Sequence, residues 1–243
     1  MIEFPNIEWW RNRLEIAAGT GKYETSISGV SATFDILTTR ELLRAKNFTG
    51  EQELIEQMLE RTHSSDIFWD VGANIGTHSC FIGQVARETH AFEPDDRTAD
   101  RLTRNLDLNE IIGEIHQIAL FDSDTQVGFD STTSIADPLG SGLMGINEAS
   151  DDLVTAVQGD NYMSEHNLPA PDIIKIDVEG FEKEVIIGAE SAVSNARDVF
   201  IEVHNEDQIQ DIRGILRPIG FNCTIHKIRD DEIHLHASKT ENE

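Results

Sequence analysis

Five residues in fixed order carry the clearest chemical signal. In "DVGANIG", Asp70, Gly72, Asn74 and Gly76 end an apolar run, and Glu93 follows Gly76 by 17 residues. Glycines after a strand let a ligand approach the backbone. An acid at the tip of the next strand, about 20 residues on, can accept both hydroxyls of a ribose. The spacing therefore suits an adenosine site. It is not the dinucleotide fingerprint, because G-x-G-x-x-G is absent. A pyrophosphate wants bare amides at a helix N-terminus with no carboxylate close by, whereas Asp70 stands at the end of the strand. A ligand with a positive group and no phosphate resolves the conflict, and S-adenosylmethionine carries a sulfonium and an α-ammonium. Asp70 and Asn74 are expected to serve its methionine end, Gly72 and Gly76 to admit it, and Glu93 to hold its ribose. Each element also has a plain structural use, since glycines occur in many turns and an acid before Pro94 can cap a helix.

These residues need a strand–turn–helix scaffold, and the pattern supplies one. Strands are predicted at 66–71, 89–94, 114–120, 171–178 and 198–204, separated by helical patterns such as 95–110, where Ala99, Leu102 and Leu106 share a face. Strands alternating with helices imply parallel βαβ units with helices on both sheet faces. The end differs: "FNCTIHKI" and "EIHLHASK", joined by "RDD", predict an antiparallel hairpin at one sheet edge. Near the start, 23–39 alternates like a small hairpin, and 47–62 is a helix with Thr49 and Gln52 in capping-box spacing. Residues 1–50 are expected to form a cap rather than a domain, with 51–243 as the main domain. Strand starts are 23, 25, 57 and 27 residues apart, so the third interval holds an excursion with a Gly-rich loop at 131–148. Insertions of that length often line a site.

Composition narrows the partners. The 243 residues suffice for one substantial core, and 45 acids against 19 bases leave a net charge of −26. That field repels phosphate backbones, so no nucleic-acid partner is expected. The acids recur throughout, and only 6 of the 19 bases are lysine. This balance suits molar salt, where screening shortens to about 3 Å; an ordinary acidic cytosolic protein is the alternative. No apolar run is long enough to span a membrane, and the start does not resemble a signal peptide, so the expected location is cytoplasmic. Cys80 and Cys223 read as buried thiols. Trp9 and Trp10 are candidates for core or a homodimer contact.

Taken together, "DVGANIGTHS", "AFEP", "RNLDLN", "IIKIDVEGFEKEVIIGA" and "IEVH", in this order, resemble the FkbM-type S-adenosylmethionine-dependent methyltransferases. The resemblance covers about residues 66–204, and "IKIDVEG" is its most specific element. It implies a class I, Rossmann-like methyltransferase fold with a seven-stranded sheet. It also implies O-methylation of a hydroxyl, often on a sugar or secondary metabolite. Residues 1–50 and 131–148 match no motif, and acceptor choice is expected to be written there.

Methyl transfer is an in-line displacement, and an alcohol nucleophile needs a base to take its proton. "IIKIDVEG" places Asp177 where the fourth strand leaves the sheet, beside the expected methyl group. Asp177 is the first candidate for base or substrate-orienting group, with a cofactor hydrogen bond or helix cap as the competing roles. Glu179 is the second candidate, although it could simply open the next helix. Lys175 shares the strand face of Asp177, and pairing would hold the acid's pKa down. His204, at the end of the fifth strand, is an alternative base near neutral pH, against the plainer reading of a surface histidine. Asp177, Glu179 and Glu202 or His204 could suit magnesium, but no spacing requires it and no metal is assigned. His234 and His236 are read as exposed imidazoles on the edge hairpin, and His78 as a cofactor contact or an outward-facing helix residue. Adenine is expected near "IALFD", with Ala119 and Leu120 in contact and Asp122 accepting from the exocyclic amine. The expectation is a methyltransferase acting on a small-molecule or glycan acceptor. An NAD-dependent oxidoreductase and a non-catalytic binding module are the rivals.

Overall fold

A computed structural model describes residues 21–48, 51–128, 153–229 and 232–240. The predicted strands assemble into a seven-stranded sheet. Its order is β5 (Gly113–His116), β4 (Glu88–Phe92), β3 (Ile67–Val71), β9 (Ile173–Ile176), β10 (Asp198–Val203), β12 (Glu232–Lys239) and β11 (Phe221–Arg229). The pairs from β5 to β10 are parallel, while β12 runs antiparallel to both β10 and β11. The expected α/β sheet with its antiparallel C-terminal hairpin is therefore present. From β3 the chain steps outward to β4 and β5, then returns to β9 on the other side. That reversal opens a crevice beyond the carboxyl ends of β3 and β9.

Strand alternation decides what lies on each sheet face. Ile67, Trp69 and Val71 join Ile174, Ile176, Val199 and Ile201 in one buried cluster, with Val185 and Ile186 of α6 (Glu182–Gly188) and Ile212 of α8 (Ile209–Leu216). Phe68, Ile173 and Phe200 face the other way, onto Leu54 and Met58 of α2 (Gln52–Arg61) and Ile82 of α3 (Thr77–Ile82). Asp70 and Lys175 are cross-strand partners in this register. Their parity sends both side chains to the α3 face.

One expectation is corrected. The run 114–120 is not one strand: β5 ends at His116, and β6 (Ala119–Phe121) leaves for a separate sheet of order β6–β8–β7. Within the excursion, β7 (Thr125–Gly128) and β8 (Leu153–Gln158) pair antiparallel. An apolar run has the same pattern whether one strand or two short ones use it. The loop at 131–148 lies outside the described residues.

At the N-terminal side, β1 (Lys22–Ile27) and β2 (Val30–Asp35) form the expected hairpin. Ser28 and Gly29 both hold positive φ, 48° and 83°, as a type I′ turn requires. An unpredicted helix, α1 (Thr39–Asn47), follows, opened by a capping box between Thr38 and Glu41. Thr49 lies outside the described residues. Arg101 of α4 (Asp96–Leu108) donates from Nε to Glu41 at 2.7 Å and from Nη1 to Asp35 at 2.5 Å. Asn105 accepts from the Asp35 amide and donates to the Ile75 carbonyl, while Asn109 bonds Thr33 twice. The asparagines of "RNLDLN" thus fasten the hairpin to the helix that follows β4, and Asn105 also reaches the glycine turn.

Candidate active site

The cleft beyond β3, β4 and β9 is lined by Gly72, Asn74, Phe92, Glu93, Ile118, Ala119, Leu120, Val154, Asp177, Val178, Glu179 and Phe181, among others. Its Glu93 end is built by backbone amides. Glu93 accepts from the Asn74 amide at 2.9 Å and the Asp95 amide at 3.0 Å. Burial pushes the Glu93 carboxyl up to about 7, against the pull of these two amides. Its oxygens still have lone pairs to spare, and hydroxyl donors would stabilise the ionised form. A ribose diol offers such donors, and the apolar walls suit an aromatic base. The residues present therefore fit S-adenosylmethionine. Glu93, Gly72 and Asn74 would hold its polar groups, with Ala119 and Leu120 beside the ring.

The glycines are demanded by neighbours as much as by a ligand. Gly72 has φ +76°, and a Cβ there would stand 1.8 Å from the Asp177 carbonyl oxygen. Gly76, at φ +87°, packs on Leu102 and does not line the cleft. The two turns at the crevice are in backbone contact through Gly72.

Asp70 is placed differently from its expected role. It is fully buried, and its Oδ2 accepts from the Ser79 amide at 3.0 Å and the Ser79 hydroxyl at 2.6 Å. Rather than facing the cleft, it closes the first turn of α3 and stands 3.4 Å from Lys175 Nζ. Lys175, only 3% exposed, also donates to the Gly72 carbonyl at 2.9 Å and pairs with Asp177 at 3.2 Å. One buried ammonium thus ties the glycine turn to the acidic turn after β9. Despite burial, which lowers it, the Lys175 pKa is raised by Asp177 and Asp70.

The acidic turn carries the candidate catalytic carboxylates, Asp177 and Glu179. Burial pushes Asp177 up, but Lys175, His204 and Arg44 outweigh it and hold the acid at about 2. The expected pairing with Lys175 is present, and so weak a base is a poor proton acceptor. Glu179 is the opposite case: burial, then Asp177, push it up to about 7, while His204 pulls it down. Its φ of +54° is a left-handed conformation uncommon outside glycine. Gly180 follows in the same region, its amide bonded to Glu182 and its carbonyl to Gln208.

His204 is corrected as a neutral-pH base. Its Nδ1 meets Glu182 at 2.8 Å, and its Nε2 meets Glu179 at 3.2 Å, Glu202 at 3.5 Å and Asp177 at 3.8 Å. Burial lowers its pKa, but Glu182 and the other carboxylates lift it to about 9. It is an imidazolium at neutral pH and organises the carboxylates around it. Nor is His234 an exposed edge residue: it is buried, with Nε2 3.6 Å from Glu202. His236 bonds Asp198 at 2.8 Å and lies parallel to the Phe200 ring. Both were misread because β12 lies inside the sheet, not at its edge.

Asp122 is exposed, bonds Ser123 and does not line the cleft. His78 is buried 3.4 Å from Glu51, so it does not face outward. Trp9 and Trp10 lie outside the described residues. Atoms of Asp177, Glu179 and His204 come within 4.8 Å of one another, as do those of His90, Glu114 and His116. These are the spacings a divalent ion needs. In the second set, however, the two imidazoles already meet each other at 3.1 Å and His116 meets Tyr162 at 3.2 Å.

With this geometry in place, residues 70–223 match the model of the methyltransferase FkbM domain. The chain belongs to the FkbM methyltransferase family. It is similar to a hexuronic acid methyltransferase, AglP, of Haloferax volcanii, with 31% identity over 85% of this chain and 84% of that one. It is also similar to the 31-O-demethyl-FK506 methyltransferase FkbM of Streptomyces tacrolimicus, at 27% identity over 72% of this chain and 80% of that one. Among solved structures, an FkbM methyltransferase from Methylobacillus flagellatus shares the fold at TM-score 0.53 and 15% identity, over 84% of this chain and 62% of that one. An rRNA methylase from Streptococcus thermophilus also has TM-score 0.53, at 10% identity over 78% of this chain and 96% of that one. This family member is an S-adenosylmethionine-dependent methyltransferase. Among the described residues, no helix is long and apolar enough to cross a membrane.

Proposed function

We propose that the enzyme methylates an oxygen of a sugar, with a hexuronic acid-containing glycan as the acceptor class and Glu179 as the base. One observation carries the mechanism: Glu179 lines the cleft with a pKa near 7, across from the Glu93 end. When bound, S-adenosylmethionine supplies an electrophilic methyl group on a sulfonium. Glu179 takes the proton of the acceptor hydroxyl as the oxygen–carbon bond forms and the carbon–sulfur bond breaks. A base with a pKa near the working pH combines an ionised resting form with useful proton affinity. Asp177, held ionised by Lys175, is placed to orient the acceptor. His204 keeps Glu179 ionised while its other nitrogen is anchored on Glu182. The similarity to a hexuronic acid methyltransferase over most of both chains supports the acceptor class.

The test is incubation with S-adenosylmethionine and a panel of uronic-acid and neutral glycosides, read by mass spectrometry for one added methyl group. Methylation of a uronide, lost in Glu179→Gln with cofactor binding retained, is the expected result. Transfer to none of the sugars, or full activity of Glu179→Gln, overturns the reading. The net charge of −26 supports a high-salt cytoplasmic setting. A melting temperature that falls as KCl is raised to about 1 M, where charges are screened within about 3 Å, would refute that part.

A further inference from the structure

Among the described residues, most charges around the cleft are closely paired. Lys175 serves Asp177, His204 serves Glu179 and Glu182, and His234 faces Glu202. Among the described residues, Arg44 of α1 has only one side-chain hydrogen bond and one loose ion pair. Its Nε donates to Thr77 Oγ1 at 3.3 Å, in the first turn of α3 just after Gly76. Its Nη2 stands 3.8 Å from Glu51, beyond hydrogen-bond range. Among the described residues, neither Nη1 nor Nη2 donates a hydrogen bond. Yet the side chain is only 13% exposed.

A guanidinium enclosed this far forgoes most of its hydration, so leaving its fork unused is costly. The fork matches a carboxylate, which accepts two parallel N–H bonds. Thr77 opens the helix that follows the glycine turn, so its bond to Arg44 sets the guanidinium beside the crevice rather than among the residues that line it. The charge of Arg44 acts on Glu51, Asp177, Glu202 and Glu179. Those acids disfavour a dianion there and leave a monoanion as the better guest.

We infer that Arg44 binds a ligand carboxylate at the active site, so that the N-terminal cap supplies a recognition residue. The inference rests on the proposed reaction, which offers two carboxylates: the methionine end of S-adenosylmethionine and the uronate of the acceptor.

Full-length wild type, Arg44→Lys and Arg44→Gln would be titrated by calorimetry with S-adenosylhomocysteine and with 5′-methylthioadenosine, which lacks the amino-acid end. With S-adenosylhomocysteine bound, 4-nitrophenyl glucuronide and the neutral glucoside follow, and circular dichroism checks the fold. Loss of S-adenosylhomocysteine affinity by about tenfold or more with 5′-methylthioadenosine unchanged assigns the cosubstrate's carboxylate. An equal loss confined to the glucuronide assigns the acceptor's. Equal loss for both adenosyl ligands, or no change in either comparison, overturns the inference; the latter holds even where wild type binds neither sugar. Failure of the reaction itself shows differently, as wild type that binds S-adenosylhomocysteine but methylates no sugar.

Discussion

Replacing His204 by glutamine is expected to shift the pH dependence of the reaction toward alkali. Glu179 acts as base only when ionised, so kcat/KM should rise with pH through its pKa of about 7. The imidazolium Nε2 stands 3.2 Å from Glu179 Oε2 and lowers that pKa. Even at the dielectric constant of water, a unit charge at that distance contributes about 1.3 kcal/mol, or about one pH unit. Partial enclosure strengthens the interaction and salt weakens it, so about one unit is the expected shift. In His204→Gln the rising limb should move from about 7 to about 8. Asp177 acts with the opposite sign, raising Glu179 as a neighbouring like charge. Asp177→Asn should therefore move the limb toward acid, whatever it does to the maximal rate. The assay is kcat/KM across pH with a saturating methyl donor, repeated for each variant. A limb in His204→Gln that stays put or moves toward acid would refute Glu179 as the titrating base.

Three further outcomes follow from the packing. Glu93→Ala should weaken S-adenosylmethionine binding by about tenfold or more in calorimetry, because two charge-assisted hydrogen bonds are lost; unchanged affinity would remove the ribose from Glu93. Gly72→Ala puts a methyl 1.8 Å from the Asp177 carbonyl at φ +76°. It should cost about 2 kcal/mol or more in urea unfolding, and a neutral effect would contradict the described contact of the two turns. Lys175→Met leaves Asp70 and Asp177 without their shared buried cation, at a cost of about 3–5 kcal/mol. Its destabilisation should ease below the carboxylate range, where the two acids can protonate; a loss that stays constant there would contradict the pairing.

The sequence carried the scaffold because its rules are local. Alternation and turn residues are enough to place β3, β4, β9 and β10 and the terminal hairpin, since burial on both faces demands apolar runs wherever the chain crosses the sheet. The ordered acids and glycines likewise located the cleft: Gly72, Asn74, Glu93, Ala119, Asp177 and Glu179 all line it. The capping box from Thr38 to Glu41 was also legible, and reading it would have found α1 and drawn attention to Arg44.

Roles within the cleft were decided in three dimensions. Asp70 looks like a ligand contact along the chain, but strand parity turns it beneath the turn toward Ser79. Asp177 and Glu179 are equivalent carboxylates in "DVEG", and their pKa values separate because Lys175 holds Asp177 down while burial and Asp177 push Glu179 up. His204 joins an acidic cluster through the pairing of β10 with β9, and His234 through that of β10 with β12, which no local pattern encodes. The sequence alone determined most of the residues that line the cleft and that the chain is a methyltransferase of α/β architecture. The tertiary structure alone decided which carboxylate has the higher pKa. Protonation depends on distances between charges brought together from β9, β10, β12 and the cap, and those distances exist only in the folded chain.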